Sequence, residues 1–282
     1  MLLYVEYLLI VVHLILHKGE KEMTYKTLKV TFSDRTAVLT LNRPESMNAM
    51  DFTMMRELAD CFEALHRESE IQLLVVKGEG KVFSAGGDVK AMLQSGDPND
   101  FGNIMGDISR LVRAYYTLPM ITIAQVHGAA AGLGLSLALG SDVILVENSS
   151  KIAMNFIGIG LVPDGGGHFF MKERLGTVKA KQLIWEGRVM NGNEAKEIGL
   201  IDYVTPDGAS TVVTDQLVGK ILSSPILAMI ETKKILHEAN LPTLEAILNG
   251  EAEGQTKMRN TKDHREGIQA FVEKRKPNFI GV

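Results

Sequence analysis

The chain has 282 residues, 45% of them hydrophobic, enough for a sizeable buried core in one large domain or two small ones. A net charge of -4, a pI near 6.0 and 6% aromatic residues provide neither a basic surface nor a stacking platform for nucleic acid. The single cysteine, Cys61, excludes an internal disulfide and any CxxC metal or redox site, and its setting "LADCFEAL" reads as helix core packing.

In chain order, the first segment is an apolar run from Leu2 to Leu16, interrupted by Glu6 and His13. It is shorter than the roughly 18 residues a bilayer span needs, and it lacks a basic leader or a clear cleavage site. Residues 1–22 are therefore expected to be an upstream extension or a weak anchor outside the fold, with a cytosolic-type start at Met23. His13 and His17 have an i,i+4 spacing suited to a metal, but no third ligand stands nearby, so no metal site is expected. From Thr24 onward strands and helices alternate. "AVLTLN" predicts a strand ended by "RP". "DFTMMRELADCFEALHRE" predicts an amphipathic helix with Asp51 as N-cap and Met55, Leu58, Phe62 and Leu65 as its apolar stripe. "LLVVKGEG" is a short buried strand closed by a glycine turn. A helix across "DISRLVRAYYTL" stops before Pro119, followed by strand "ITIAQVHG", helix "AAGLGLSLALG" and strand "DVILVE". This alternation predicts an α/β core. From about Gly176 the strand signals fade and helices dominate: "TVKAKQLIWEG", "NGNEAKEIG", "TVVTDQLVGKILSS", "ILAMIETKKILHEA" and "REGIQAFVEKR".

Two glycine-rich turns each follow a strand and feed a helix: residues 82–93, "VFSAGGDVKAML", and residues 125–140, "QVHGAAAGLGLSLALG". Helix starts leave N–H groups unpaired, and small residues let a ligand reach them. If the turns converge, two N–H groups can hold one developing negative oxygen. Taken singly, each turn reads as close helix–strand packing. Neither a phosphate loop nor a G-x-G-x-x-G fingerprint is present. Asp164, in "GLVPDGGGHFF", reads from its neighbours as an N-cap for a helix starting near Gly165. His127 and His168 read as structural and helix-surface histidines.

The ordered set "LNRPESMNAM", "FSAGGDVK", "HGAAAGLGLSLALGSD", "GIGLVPDGGG", "GRVMNGNEAKEIGLIDYV" and "REGIQAFVEKRKPNF" resembles the crotonase family, also called the enoyl-CoA hydratase/isomerase superfamily. The resemblance runs from about Tyr25 to Phe279. It implies an α/β spiral of ββα units over residues 23–205, and a helical trimerisation region over 206–282 giving a homotrimer or dimer of trimers. It also implies an acyl-CoA thioester substrate, with coenzyme A as part of the substrate and no separate cofactor. Position by position it implies an oxyanion hole from the backbone N–H of Gly87 and of Leu133, the latter standing where relatives usually carry glycine. Ala85, Asp88, Val89 and Lys90 would lie along the CoA, and Phe271, Lys274 and Phe279 would close its adenine site, often from a neighbouring subunit. From their own residue type the two lysines read as solvated surface charges.

The two glutamates of the hydratases would align with Ser136 and Phe156, neither of which ionises usefully. Ordinary hydration with the usual pair is thus unavailable. The isomerases of the family carry an acid just after the loop proline, where Asp164 stands. The resemblance therefore makes Asp164 the expected proton shuttle of an enoyl-CoA isomerase in fatty acid metabolism. A hydratase or lyase using Asp164 with Ser136, and a non-catalytic acyl-CoA binder, remain as alternatives.

Overall fold

The computed structural model describes residues 22–89 and 98–282. His13, His17 and Lys90 lie outside the described residues. The first strand, β1 (Glu22–Thr24), already pairs with β2 (Leu28–Ser33), and β2 turns back onto β3 (Thr36–Leu41). Beyond β3 the sheet is parallel: β4 (Leu73–Gly78), β5 (Ile121–Val126), β7 (Val143–Glu147) and β9 (Tyr203–Thr205) follow in that order.

A second, smaller layer explains the spiral. Strand β6 (Ala129–Ala131) pairs with β8 (Lys151–Ala153), and single bridges Ser84–Ala130 and Met50–Gly87 continue the same row. After β3, β4, β5 and β7 the chain adds one short step to this row and then a helix. Strand β3 leads through Met50 to α1 (Phe52–Leu65), and β4 through Ser84 and Gly87 to α2 (Pro98–Tyr116). Strand β5 leads through β6 to α3 (Leu133–Leu139), and β7 through β8 to α4 (Gly167–Glu186). Four such turns are the expected ββα units.

Both faces of the sheet are covered, so its central strands are apolar along their length. Leu74, Val76, Ala124 and Val126 join the main core with the expected stripe Met55, Leu58, Phe62 and Leu65 of α1. Leu73, Val75, Ile121 and Ile123 face the other way and pack on Ile221 and Ile226. Those two residues belong to α6 (Ser210–Leu222) and α7 (Ile226–Arg259), so these helices sit on the sheet itself. Asp51 caps α1 by accepting from Met54 N at 2.8 Å, and Cys61 is buried, both as expected.

Three elements differ from expectation. Helix α4 bends at Gly176 (φ 72°, ψ 160°), a backbone that favours glycine, so one label covers two expected helices. Strand β9 is only three residues long and half exposed, too short to announce itself by alternation. Helix α7 was expected over "ILAMIETKKILHEA" but runs on through Pro242 to Arg259. Helices α5 (Gly192–Glu197), with its Asn191–Glu194 capping box, and α8 (Lys262–Glu273) complete the chain. Among the described residues no single helix is long and apolar enough to cross a membrane.

Candidate active site

The two glycine turns converge. A Cβ on Gly86 (φ 101°) would lie 2.6 Å from Ala131 O and 3.5 Å from Leu133 N, so the approach requires glycine. Gly134 is equally confined, with its missing Cβ 2.7 Å from the Ser84 side chain. The first turn is held from "LNRPESMNAM". Asn48, fully buried, donates to Glu79 O and Val82 O, both at 2.8 Å, while Ser84 Oγ donates to Asn48 O at 2.8 Å.

This bracing fixes the direction of two N–H groups. Met50 N donates to Gly86 O and Asp88 N donates to Met50 O, so the N–H of Gly87, between them, turns to the opposite edge. Leu133 is the first residue of α3, where an N–H has no intrahelical acceptor. Both residues border one cavity of about 630 Å³. The Leu133 side chain, unusual at this position, finds its room over Gly165: a Cβ there would fall 2.4 Å from Leu133 Cδ1.

Of the residues singled out in the sequence, Ala85, Gly87, Asp88, Val89, Leu133, Phe156, Asp164 and Phe271 line the cavity. Asp88 is held by Arg43, which also pairs with Asp51, each at 3.2 Å. Ser136 lies behind Leu133, off this wall, and its Oγ donates to Asp164 O at 2.8 Å. It braces the loop. Lys274 and Phe279 are exposed and stand apart from the cavity wall of their own chain. His127 donates to Gly80 O at 3.0 Å, a structural role.

Asp164 does not cap α4. The N-cap position is Gly166, and no side chain of its own loop caps the helix. Glu251, from α7, accepts from Gly166 N at 2.8 Å and His168 N at 3.0 Å instead. The Asp164 carboxyl has a different environment. Oδ2 accepts from Gln255 Nε2 at 3.1 Å, and Oδ1 is buried with no hydrogen-bond partner. Burial is the main cause pushing its pKa up to about 8; the charge of Glu251 adds to this and Arg259 opposes it. A carboxyl near neutrality in an apolar cavity can both take and return a proton.

Glu251, Gln255 and Arg259 carried no motif in the sequence. Their signal was helical spacing: Leu244, Leu248, Glu251 and Gln255 form one buried stripe whose second half is polar. Among the described residues no group of three His, Cys, Asp or Glu side chains is placed to hold a metal.

Comparison with known proteins agrees with this geometry. Residues 31–281 match the family described as enoyl-CoA hydratase/isomerase. The Bacillus subtilis (strain 168) protein YhaR, provisionally named an enoyl-CoA hydratase/isomerase, is 46% identical over 243 residues, 86% of this chain and 94% of that one. The 1,2-epoxyphenylacetyl-CoA isomerase of Escherichia coli (strain K12) is 33% identical, covering 86% of this chain and 94% of its own. The crystal structure of an enoyl-CoA hydratase from Mycobacterium avium subsp. paratuberculosis K-10 superposes with a TM-score of 0.83 at 32% identity, covering 91% of this chain and all of the other. With the ββα spiral, the paired glycine turns and these matches together, the chain belongs to the enoyl-CoA hydratase/isomerase family.

Proposed function

We propose that this acyl-CoA enzyme is an enoyl-CoA isomerase that moves a double bond with Asp164 as its single base. The observation that carries this reading is the Asp164 carboxyl at the cavity wall, with a raised pKa and an unbonded Oδ1. The other aspartates of the wall, Asp51 and Asp88, are both tied to Arg43. The ionised carboxylate takes a proton from the carbon next to the thioester. The electron pair moves onto the carbonyl oxygen, giving a dienolate, and the same carboxyl returns the proton two carbons further along. The substrate and product are isomers, and no water is consumed. The N–H groups of Gly87 and Leu133 are the donors for the oxyanion. Losing one such donor typically costs about 3 to 4 kcal/mol of barrier. Phe156 and Leu133 exclude water from this region and keep the carboxyl desolvated.

Hydration is disfavoured by Ser136, whose hydroxyl is committed to Asp164 O, and by the hydrocarbon ring of Phe156. The test is a substrate panel in 18O-labelled water. The isomerase reading expects 3-enoyl-CoA to be converted to 2-enoyl-CoA without label in the product. Efficient hydration of 2-enoyl-CoA, or tight thioester binding without turnover, contradicts it. We assign Lys274 and Phe279 to the cavity of a neighbouring subunit in an assembly of three or six chains. Light scattering at micromolar concentration should read that mass, and a monomer or plain dimer contradicts the assignment.

A further inference from the structure

The last two and a half turns of helix α7 face the loop that carries Asp164. Glu251, Gln255 and Arg259 lie at i, i+4 and i+8, one face of a helix. Gln255 is 1% exposed. Its amide nitrogen donates to Val162 O at 2.6 Å and to Asp164 Oδ2 at 3.1 Å. An amide nitrogen has two hydrogens, so these two bonds use both and fix its orientation. An N–H bond to Oδ2 favours the ionised form of the carboxyl. Oδ1 is buried and has no partner.

Glu251 is 3% exposed and binds the other side of the same loop. Besides Gly166 N and His168 N, its carboxylate meets His168 Nδ1 at 2.9 Å. It therefore does what the loop's own aspartate does not do, namely satisfy the start of α4. This leaves Asp164 unemployed as a cap and puts a second carboxylate beside it. The charged and titratable groups facing Asp164 are Glu251 and Arg259 from α7, His168 from α4 through Glu251, and His264 from α8, which donates to Ile159 O at 2.8 Å. Arg43, Asp51 and Asp88 line the same cavity, and each aspartate is paired with Arg43.

We propose that Glu251 and Gln255 are the positioning residues of this site: Gln255 holds Oδ2 and favours the ionised carboxylate, and Glu251 frees Asp164 from capping while keeping a like charge at its side. This rests on the reading of Asp164 as the base. Each residue then acts on the proton affinity of Asp164 with a defined sign. Removing the charge of Glu251 makes ionisation of Asp164 easier. Removing the Gln255 donor takes a hydrogen bond from the ionised form and makes ionisation harder.

The experiment is a pH titration of the full-length protein by infrared spectroscopy, following the carboxyl C=O band that vanishes in Asp164→Asn. The acid limb of kcat/KM for 3-enoyl-CoA is measured in parallel. Glu251→Gln should move both midpoints to lower pH, and Gln255→Met should move both to higher pH, each by about one unit. A merely structural role would lower the melting temperature and leave both midpoints in place. Midpoints unmoved in folded variants, or moved in the same direction, overturn the proposal. Gln255→Met decides alone if Glu251→Gln does not fold. If the infrared midpoints move as expected while the kinetic limb does not follow, the positioning contacts stand and the base reading of Asp164 is what fails.

Discussion

Helix α7 meets an aspartate in each half of its length, and the two are treated in opposite ways. In the first half, Lys233 donates to Asp142 Oδ2 at 2.8 Å and to Met120 O at 2.8 Å. The same Oδ2 also accepts from Thr122 N at 2.7 Å and Thr122 Oγ1 at 2.9 Å. Burial lowers the pKa of Lys233, and Asp142 opposes that shift in part. In the second half, Asp164 receives one neutral amide on Oδ2, nothing on Oδ1, and a like charge from Glu251. The first arrangement resembles a bolt between helix and sheet, with three donors on one carboxylate oxygen. The second leaves a carboxyl poised to change protonation state. A helix that closes the fold at one end thus tunes the chemistry at the other.

Breaking the bolt should have the largest effect on stability. Lys233→Met takes the charge partner from a half-buried carboxylate that keeps its two Thr122 bonds, and losing such a partner typically costs about 1 to 3 kcal/mol. Denaturant titration should show that loss, while turnover per folded molecule stays near the original value because Lys233 does not border the cavity. A neutral result would mean that water reaches Asp142 and the two halves differ less than their bonding indicates.

A smaller, pH-dependent effect should separate Asp164 from Asp142. The Asp164 pKa is raised from 3.8 to about 8 on folding, so the native state holds a proton that the unfolded chain has lost. Stability then falls as pH rises through that window, the reverse of a salt-bridged aspartate. Asp164→Asn removes this dependence. The melting temperature of the variant minus that of the parent should grow from about pH 4 to about pH 8 and level off above it. A difference that does not vary with pH would show that the carboxyl ionises as easily in the folded protein as in water.

Legibility in the sequence followed the same division. The α/β alternation, the α1 stripe and both glycine turns could be read because each depends on local features, whereas the spiral came from family resemblance. The convergence of the turns followed from family resemblance, and the structure supplies its cause in Gly86 against Ala131 and Asn48 against Glu79 and Val82. Asp164 could be located, but its neighbours argued for a helix cap. What removed that role was Glu251, 87 residues later, on a stretch where Pro242 and a polar composition concealed the continuation of α7. Arg43, which fastens Asp88 and Asp51, stood inside a quoted motif, yet its partners are far apart in the chain. Side chains that act across a fold leave only weak periodic traces in sequence, as Leu244, Leu248, Glu251 and Gln255 do.

The most direct test is Asp164→Asn, with 3-enoyl-CoA isomerisation and melting temperature measured at neutral pH on one preparation. The substitution is nearly isosteric, and the residue caps no helix, so melting should stay the same or rise. Loss of a general base typically lowers rates about 100 to 10,000-fold, and the account predicts a fall in that range. A folded Asp164→Asn variant that isomerises at the original rate would contradict it and place the base elsewhere.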